Sequence, residues 1–100
     1  MAACGVIWCI GGLDTSGGAG LLRDGITAAS LGMPVAQAVT LISVQTHHSA
    51  ISVQPTASSD FEKQLSALQA QAPLAVKIGA LASSAQCRAL TSLLHRTINQ

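Results

Sequence analysis

Apolar residues fall into two rhythms along this chain. Residues 6–10 are apolar without alternation, as in a central parallel strand buried on both faces. Residues 35–44 form a second mostly apolar run, in which Val39, Thr40, Ile42 and Val44 supply β-branched side chains suited to a strand. Shorter runs at 50–53, stopped by Pro55, and at 74–78, ending at Gly79, predict a short or edge strand and a third main strand. Between these runs the period lengthens to that of a helix. Residues 19–31 place Leu22, Ile26 and Ala29 on one face and Arg23 and Thr27 on another, with Gly32 ending the helix and Pro34 preventing its return. Ser59 and Glu62 have the spacing of a capping box, predicting a helix to about residue 70 that buries Phe61, Leu65 and Leu68. Ser83 and Gln86 repeat that logic before a last helix with Leu90, Leu93, Leu94 and Ile98 as its apolar stripe.

This order of elements predicts an α/β fold with a mainly parallel sheet and flanking helices. The loops beginning at Gly11, Gln45 and Gly79 then lie along one edge of the sheet, where open α/β sheets place their ligands. The first of them, residues 11–20, carries five of the nine glycines. Without Cβ atoms, Gly17, Gly18 and Gly20 let backbone N–H groups approach an anion or a polar small molecule. A tight strand-to-helix turn with no ligand explains the same composition, and neither common phosphate-loop pattern is present.

Several blocks taken together carry more information than the glycines alone. Asp14-Thr15-Ser16-Gly17-Gly18-Ala19-Gly20, Asp24, Ser30-Leu31-Gly32, the segment 40–45 and Val76-Lys77-Ile78-Gly79-Ala80-Leu81 occur in order and near-spacing. In this the chain resembles the N-terminal part of the hydroxymethylpyrimidine/phosphomethylpyrimidine kinases, thiamine-biosynthesis enzymes with a ribokinase-like fold. The resemblance implies that residues 1–100 are the N-terminal portion of such a kinase domain, giving a partial ribokinase-like fold. It also implies that the complete enzyme uses ATP and Mg to phosphorylate a pyrimidine alcohol. Gln45 resembles the glutamine that hydrogen-bonds the aminopyrimidine, and the backbone of Ser43 matches a main-chain contact to the same ring. Gly12, Ala19 and Asp24 match positions lining the hydroxymethyl end of the pocket. Ala80 stands where the family has a methionine at the pocket wall, which widens the site or leaves another side chain to fill it. Leu13 replaces a serine or threonine, and Gln45-Thr46-His47 replaces Gln-Asn-Thr. Lys77 matches the family lysine, although a strand-end lysine is also suited to a paired, purely structural role. The family's nucleotide site and catalytic anion hole lie in its C-terminal half, so this chain alone is expected to bind ATP and Mg poorly and to be inactive. The alternatives are a non-catalytic pyrimidine-binding or interaction module and an inactive truncated product.

Composition narrows the remaining classes. Only 9% of residues are charged and 49% are hydrophobic, a poorly charged surface for a monomer, so self-association or coverage by further elements is expected. The net charge of +1, with no run of Lys or Arg, leaves no electrostatic footprint for nucleic acid. No apolar run is long enough to span a bilayer, and residues 1–10 lack the basic flank of a signal peptide. Cys4, Cys9 and Cys87 are an odd number without C-x-x-C spacing, which argues against a disulfide framework and a zinc site and for a reducing, cytoplasmic setting. His47 and His48 are neighbours whose side chains point apart in an extended segment, so the pair is read as loop or pocket rim, not a metal site.

Overall fold

The strand β1, Val6–Asp14, is the axis of the molecule. It pairs in parallel with β2 (Val35–Gln45) on one side and β4 (Pro73–Ile78) on the other, and β3 (Ala50–Pro55) adds an antiparallel edge to β2. The sheet order is therefore β3-β2-β1-β4, in a computed structural model that describes residues 5–98. Cys4 lies outside the described residues. The helices are α1 (Gly20–Ser30), α2 (Ser58–Leu68) and α3 (Ser84–Ile98).

Alternation along β1 separates the two faces of the sheet. Val6, Trp8 and Ile10 point into a core completed by Ala38 of β2, Phe61, Leu65 and Leu68 of α2, and Leu90 and Leu93 of α3. Ile7 and Cys9 face the other way, toward α1, where they line a groove with Ala28 and Leu31. This is the mainly parallel, helix-flanked sheet expected from the strand and helix rhythms. The buried stripe of α2 matches the sequence reading, and Cys9 is a buried small apolar residue whose thiol is pushed up by that burial.

Several boundaries differ for identifiable reasons. The strand expected to stop at Ile10 runs through the glycines to Asp14, because Gly11 and Gly12 remain paired with Val39 and Leu41 across a bulge. A Cβ at Gly12 would meet Leu41 Cδ1 at 2.7 Å, so the glycine there serves close packing within the sheet. Gln45, expected in a loop, is the last residue of β2 and is paired with Ala50. In α1 the buried residues are Leu21 and Ala28, while Leu22 and Ile26 are half exposed; packing on β1 rotates the helix away from the face expected. The α1 C-terminus does follow its sequence signal: Gly32 has φ +72°, and the N–H groups of Gly32 and Met33 return to the carbonyls of Ala29 and Ala28 as a Schellman motif.

The box at Ser59 and Glu62 does not cap α2. Ala57 already accepts from the Phe61 N–H at 2.9 Å and is the N-cap, which puts Ser59 inside the first turn. Ser83 does accept from the Gln86 N–H at 3.1 Å, but the Gln86 side chain turns into the core. Ile98, expected in the apolar stripe of α3, is 77% exposed. Leu74 and Ile78 on the β4 edge are exposed as well.

Candidate functional site

The carboxyl ends of β1 and β2 are tied together by the residue that follows β1. Thr15 donates its N–H to the Ser43 carbonyl at 3.1 Å, and its hydroxyl accepts from the Gln45 N–H at 3.0 Å. The same hydroxyl lies 3.2 Å from the Ser43 carbonyl and 3.3 Å from that of Gln45. The two strand ends consequently form one unit, with Gly12, Ser43 and Gln45 within it.

Asp14 organises the glycine-rich turn. Its Oδ1 accepts from the Ser16 N–H at 2.8 Å and the Ser16 hydroxyl at 2.7 Å, and its main-chain carbonyl accepts from the Gly17 N–H at 2.9 Å. The Gly18 N–H and the Gln45 side-chain amide lie close enough to the same carboxylate to favour its charged form. The Ser16 N–H is thus turned onto the chain's own carboxylate and the Gly17 N–H onto a main-chain carbonyl, which revises the expectation of a ligand-facing amide at Gly17. Sequence spacing could not show the approach of Gln45 to Asp14, which comes only through the pairing of β1 with β2.

The Ser16 hydroxyl, the Gln45 amide and the backbone N–H groups together lower the Asp14 pKa from its ordinary 3.8 to about 2. A carboxylate with a depressed folded pKa contributes stability that is fully present above about pH 4 and is lost as pH falls toward 2. Urea midpoints of the wild type should therefore fall between pH 4 and pH 2, and Asp14→Asn should lack that component of the fall. Parallel pH profiles for the two proteins would contradict this role.

The third segment enters beside Gly11. Gly79 donates its N–H to the Ile10 carbonyl at 2.7 Å, which brings the end of β4 into contact with β1 at Gly11. Ala80 follows, with its carbonyl accepting from the Thr40 hydroxyl at 2.7 Å. Ala19 is the extended N-cap of α1 and makes no side-chain cap.

Asp24 stands on α1 and binds the Lys77 ammonium through both oxygens, at 2.9 and 3.0 Å. Lys77 is 52% exposed, so this pair resembles a surface salt bridge of at most about 1 kcal/mol. The pair lines a groove of about 270 Å³ with Cys9, Thr27 and Met33 on the α1 face of the sheet. Gly12, Ser43, Gln45 and Ala80 are therefore gathered at one sheet end, and Asp24 is held to β4 through Lys77. His47 and His48 are exposed in a turn closed by Thr46. Among the described residues no group of three or more His, Cys, Asp or Glu side chains is placed to hold a metal ion, and no helix is long and apolar enough to cross a membrane.

A mainly parallel sheet with a glycine-rich first turn and helices packed on both faces defines an α/β protein of the open, wound type. Within that class, the chain belongs to the phosphomethylpyrimidine kinase family, whose model matches residues 14–100. The crystal structure of phosphomethylpyrimidine kinase from Clostridium difficile 630 is similar with a TM-score of 0.85 at 28% identity, covering 91% of this chain and 40% of that one. The pyridoxal kinase from Staphylococcus aureus in complex with pyridoxal gives 0.85 at 29% identity, covering 95% of this chain and 36% of that one. A structure described as the last common ancestor of two groups of vitamin kinases gives 0.82 at 28%, covering 96% and 45%. No curated protein matches the chain. The chain spans less than half the length of these solved relatives.

Proposed function

We propose that residues 1–100 are the N-terminal portion of a ribokinase-like kinase domain and present the alcohol-substrate half of its site, with hydroxymethylpyrimidine as the substrate. The observation that carries this reading is the Thr15 tie, whose hydroxyl accepts the Gln45 N–H at 3.0 Å and whose own N–H donates to the Ser43 carbonyl at 3.1 Å, so that both residues are held at the carboxyl edge of the sheet. The Gln45 side chain offers an amide donor and acceptor there, a pair suited to an aminopyrimidine. Ser43 supplies main chain next to it, and Gly12, Ala19, Asp24 and Ala80 complete the set carried over from the family pattern. In the whole kinase the hydroxymethyl oxygen is the phosphoryl acceptor.

The Ser16 N–H is taken by the Asp14 carboxylate, the Gly17 N–H by the Asp14 carbonyl and Asp24 by Lys77, and no step is assigned to ATP and Mg here. Phosphoryl transfer rests on positioning and charge stabilisation around the transferring group, and this chain alone is expected to lack activity. The reading places the protein in the cytoplasm, in thiamine synthesis.

A second substrate reading, pyridoxal, is favoured by the equal similarity to a pyridoxal kinase holding that ligand. A non-catalytic module that pairs with a second copy is favoured by the exposed Leu74 and Ile78 on the β4 edge.

Ligand-dependent melting tests the proposal. At a hundred times its dissociation constant, hydroxymethylpyrimidine should stabilise the folded chain by about 2.7 kcal/mol, a shift on the order of 10 °C, and Gln45→Ala should abolish that shift. A cooperatively melting wild type with no shift would leave the family fold without a substrate half-site.

A further inference from the structure

The segment between β4 and α3 is fastened by two side chains to which no site role has been given. Thr40 and Gln86 are both 0% exposed. The Thr40 hydroxyl donates to the Ala80 carbonyl at 2.7 Å, and the Gln86 Oε1 accepts from the Ala82 N–H at 2.8 Å. Gln86 Nε2 then donates to the carbonyls of Thr40, at 2.8 Å, and Thr56, at 3.1 Å. The Thr40 carbonyl also accepts from the Thr56 N–H at 2.8 Å. The two side chains act as one unit, since Thr40 gives its hydroxyl to the 80–82 segment and its carbonyl to Gln86.

The chemistry of this unit is specific. A buried amide offers two donors and two acceptor lone pairs in fixed directions, and here both donors and one lone pair are used on backbone groups from β2, the β3–α2 connection and the β4–α3 connection. A methionine would occupy a similar volume but leave the Ala82 N–H and the Thr56 carbonyl without this partner, so what the glutamine adds over packing is placement of the backbone. The backbone it places includes Ala80, the proposed pocket wall.

We propose that Thr40 and Gln86 are the positioning pair of the alcohol pocket: they lock segment 80–82 against β2 and the β3–α2 connection, and the wall so fixed selects which ring the pocket accepts. This inference rests on the alcohol-pocket reading above and names the residues that set its selectivity. Neither side chain need touch the ligand; each acts through the backbone of the wall.

The test uses the full chain and three variants. Thr40→Val keeps the shape and removes the donor, Thr40→Ser keeps the donor, and Gln86→Met keeps the volume. Amide hydrogen exchange at residues 80–82 should accelerate roughly tenfold in Thr40→Val and Gln86→Met, the factor expected for one lost buried hydrogen bond, and return toward wild type in Thr40→Ser. In calorimetry, the ratio of affinities for hydroxymethylpyrimidine and pyridoxal should change about fivefold or more in the first two variants and not in Thr40→Ser. Unchanged exchange at 80–82 would overturn the lock. Faster exchange with an unchanged affinity ratio would reduce the pair to a structural role and overturn the proposal. If the wild type binds neither ring, the pocket reading itself falls, and with it the pair's part in selection, while the exchange data report the lock independently.

Discussion

Gly20→Ala should destabilise the protein by about 2 to 5 kcal/mol and remove ligand binding with it. Gly20 has φ +71°, a conformation that costs a residue with a Cβ about 1–2 kcal/mol. A Cβ there would also run into the main-chain carbonyl of Gly12, in β1, and backbone cannot move aside as a side chain can; such overpacking adds about 1–3 kcal/mol. The α1 N-terminus and the site end of β1 are forced apart together, because Leu13 and Gly20 are bridged. The other two positive-φ glycines are internal controls. Gly32 has nothing within 4 Å of its added Cβ, and Gly17 only the flexible end of Leu22 at 3.2 Å. Gly17→Ala and Gly32→Ala should each cost about 1–2 kcal/mol, from backbone strain alone. Urea denaturation of the three variants decides the matter, and equal losses at all three positions would remove the close approach of Gly20 to Gly12 as an organising contact.

Phe61→Ala should be comparably damaging for a different reason. Phe61 is 0% exposed and sits in the core that joins β1 to α2 and α3. Truncating a buried phenylalanine costs about 3–5 kcal/mol through lost burial and the cavity left behind. Against a total stability of about 5–15 kcal/mol, that loss leaves a protein folded marginally or not at all at 37 °C. Leu74→Ala, on the exposed β4 edge, should change stability by no more than about 0.5 kcal/mol. Comparing the two by urea midpoint tests whether the core lies on the α2–α3 face of the sheet; a similar cost for both would contradict it.

What the sequence could show depended on whether a contact was written locally. The α2 stripe of Phe61, Leu65 and Leu68 was legible because one helix face repeats at fixed spacing and that face is buried. In α1 the adjacent Leu21 and Leu22 offered two faces of equal apolarity, and the choice was made by packing on β1, which no local pattern records. The gathering of the three loops at one sheet edge followed from the α/β order alone. At Gly17 the ligand-facing reading did not survive, because its amide donates to the Asp14 carbonyl in a turn that Ser16 closes onto the Asp14 carboxylate. Thr40 reads as a strand residue and Gln86 as half of a capping box, but their mutual role was not legible: their bonds join β2 to segment 80–82 and to the start of α3, 46 residues apart, with no spacing that announces them. Lys77 was open between family site residue and structural pair, and its bond to Asp24 now accounts for its position.

Amide chemical-shift mapping during titration with hydroxymethylpyrimidine addresses the central claim, that this chain carries an alcohol half-site at the carboxyl edge of its sheet. The account predicts saturable shifts centred on Gly12, Ser43, Gln45 and Ala80, with the Gln45 side-chain amide among the largest. Shifts confined to the groove between α2 and α3, around Glu62 and Arg96, or no saturable shifts in a folded spectrum, would contradict it.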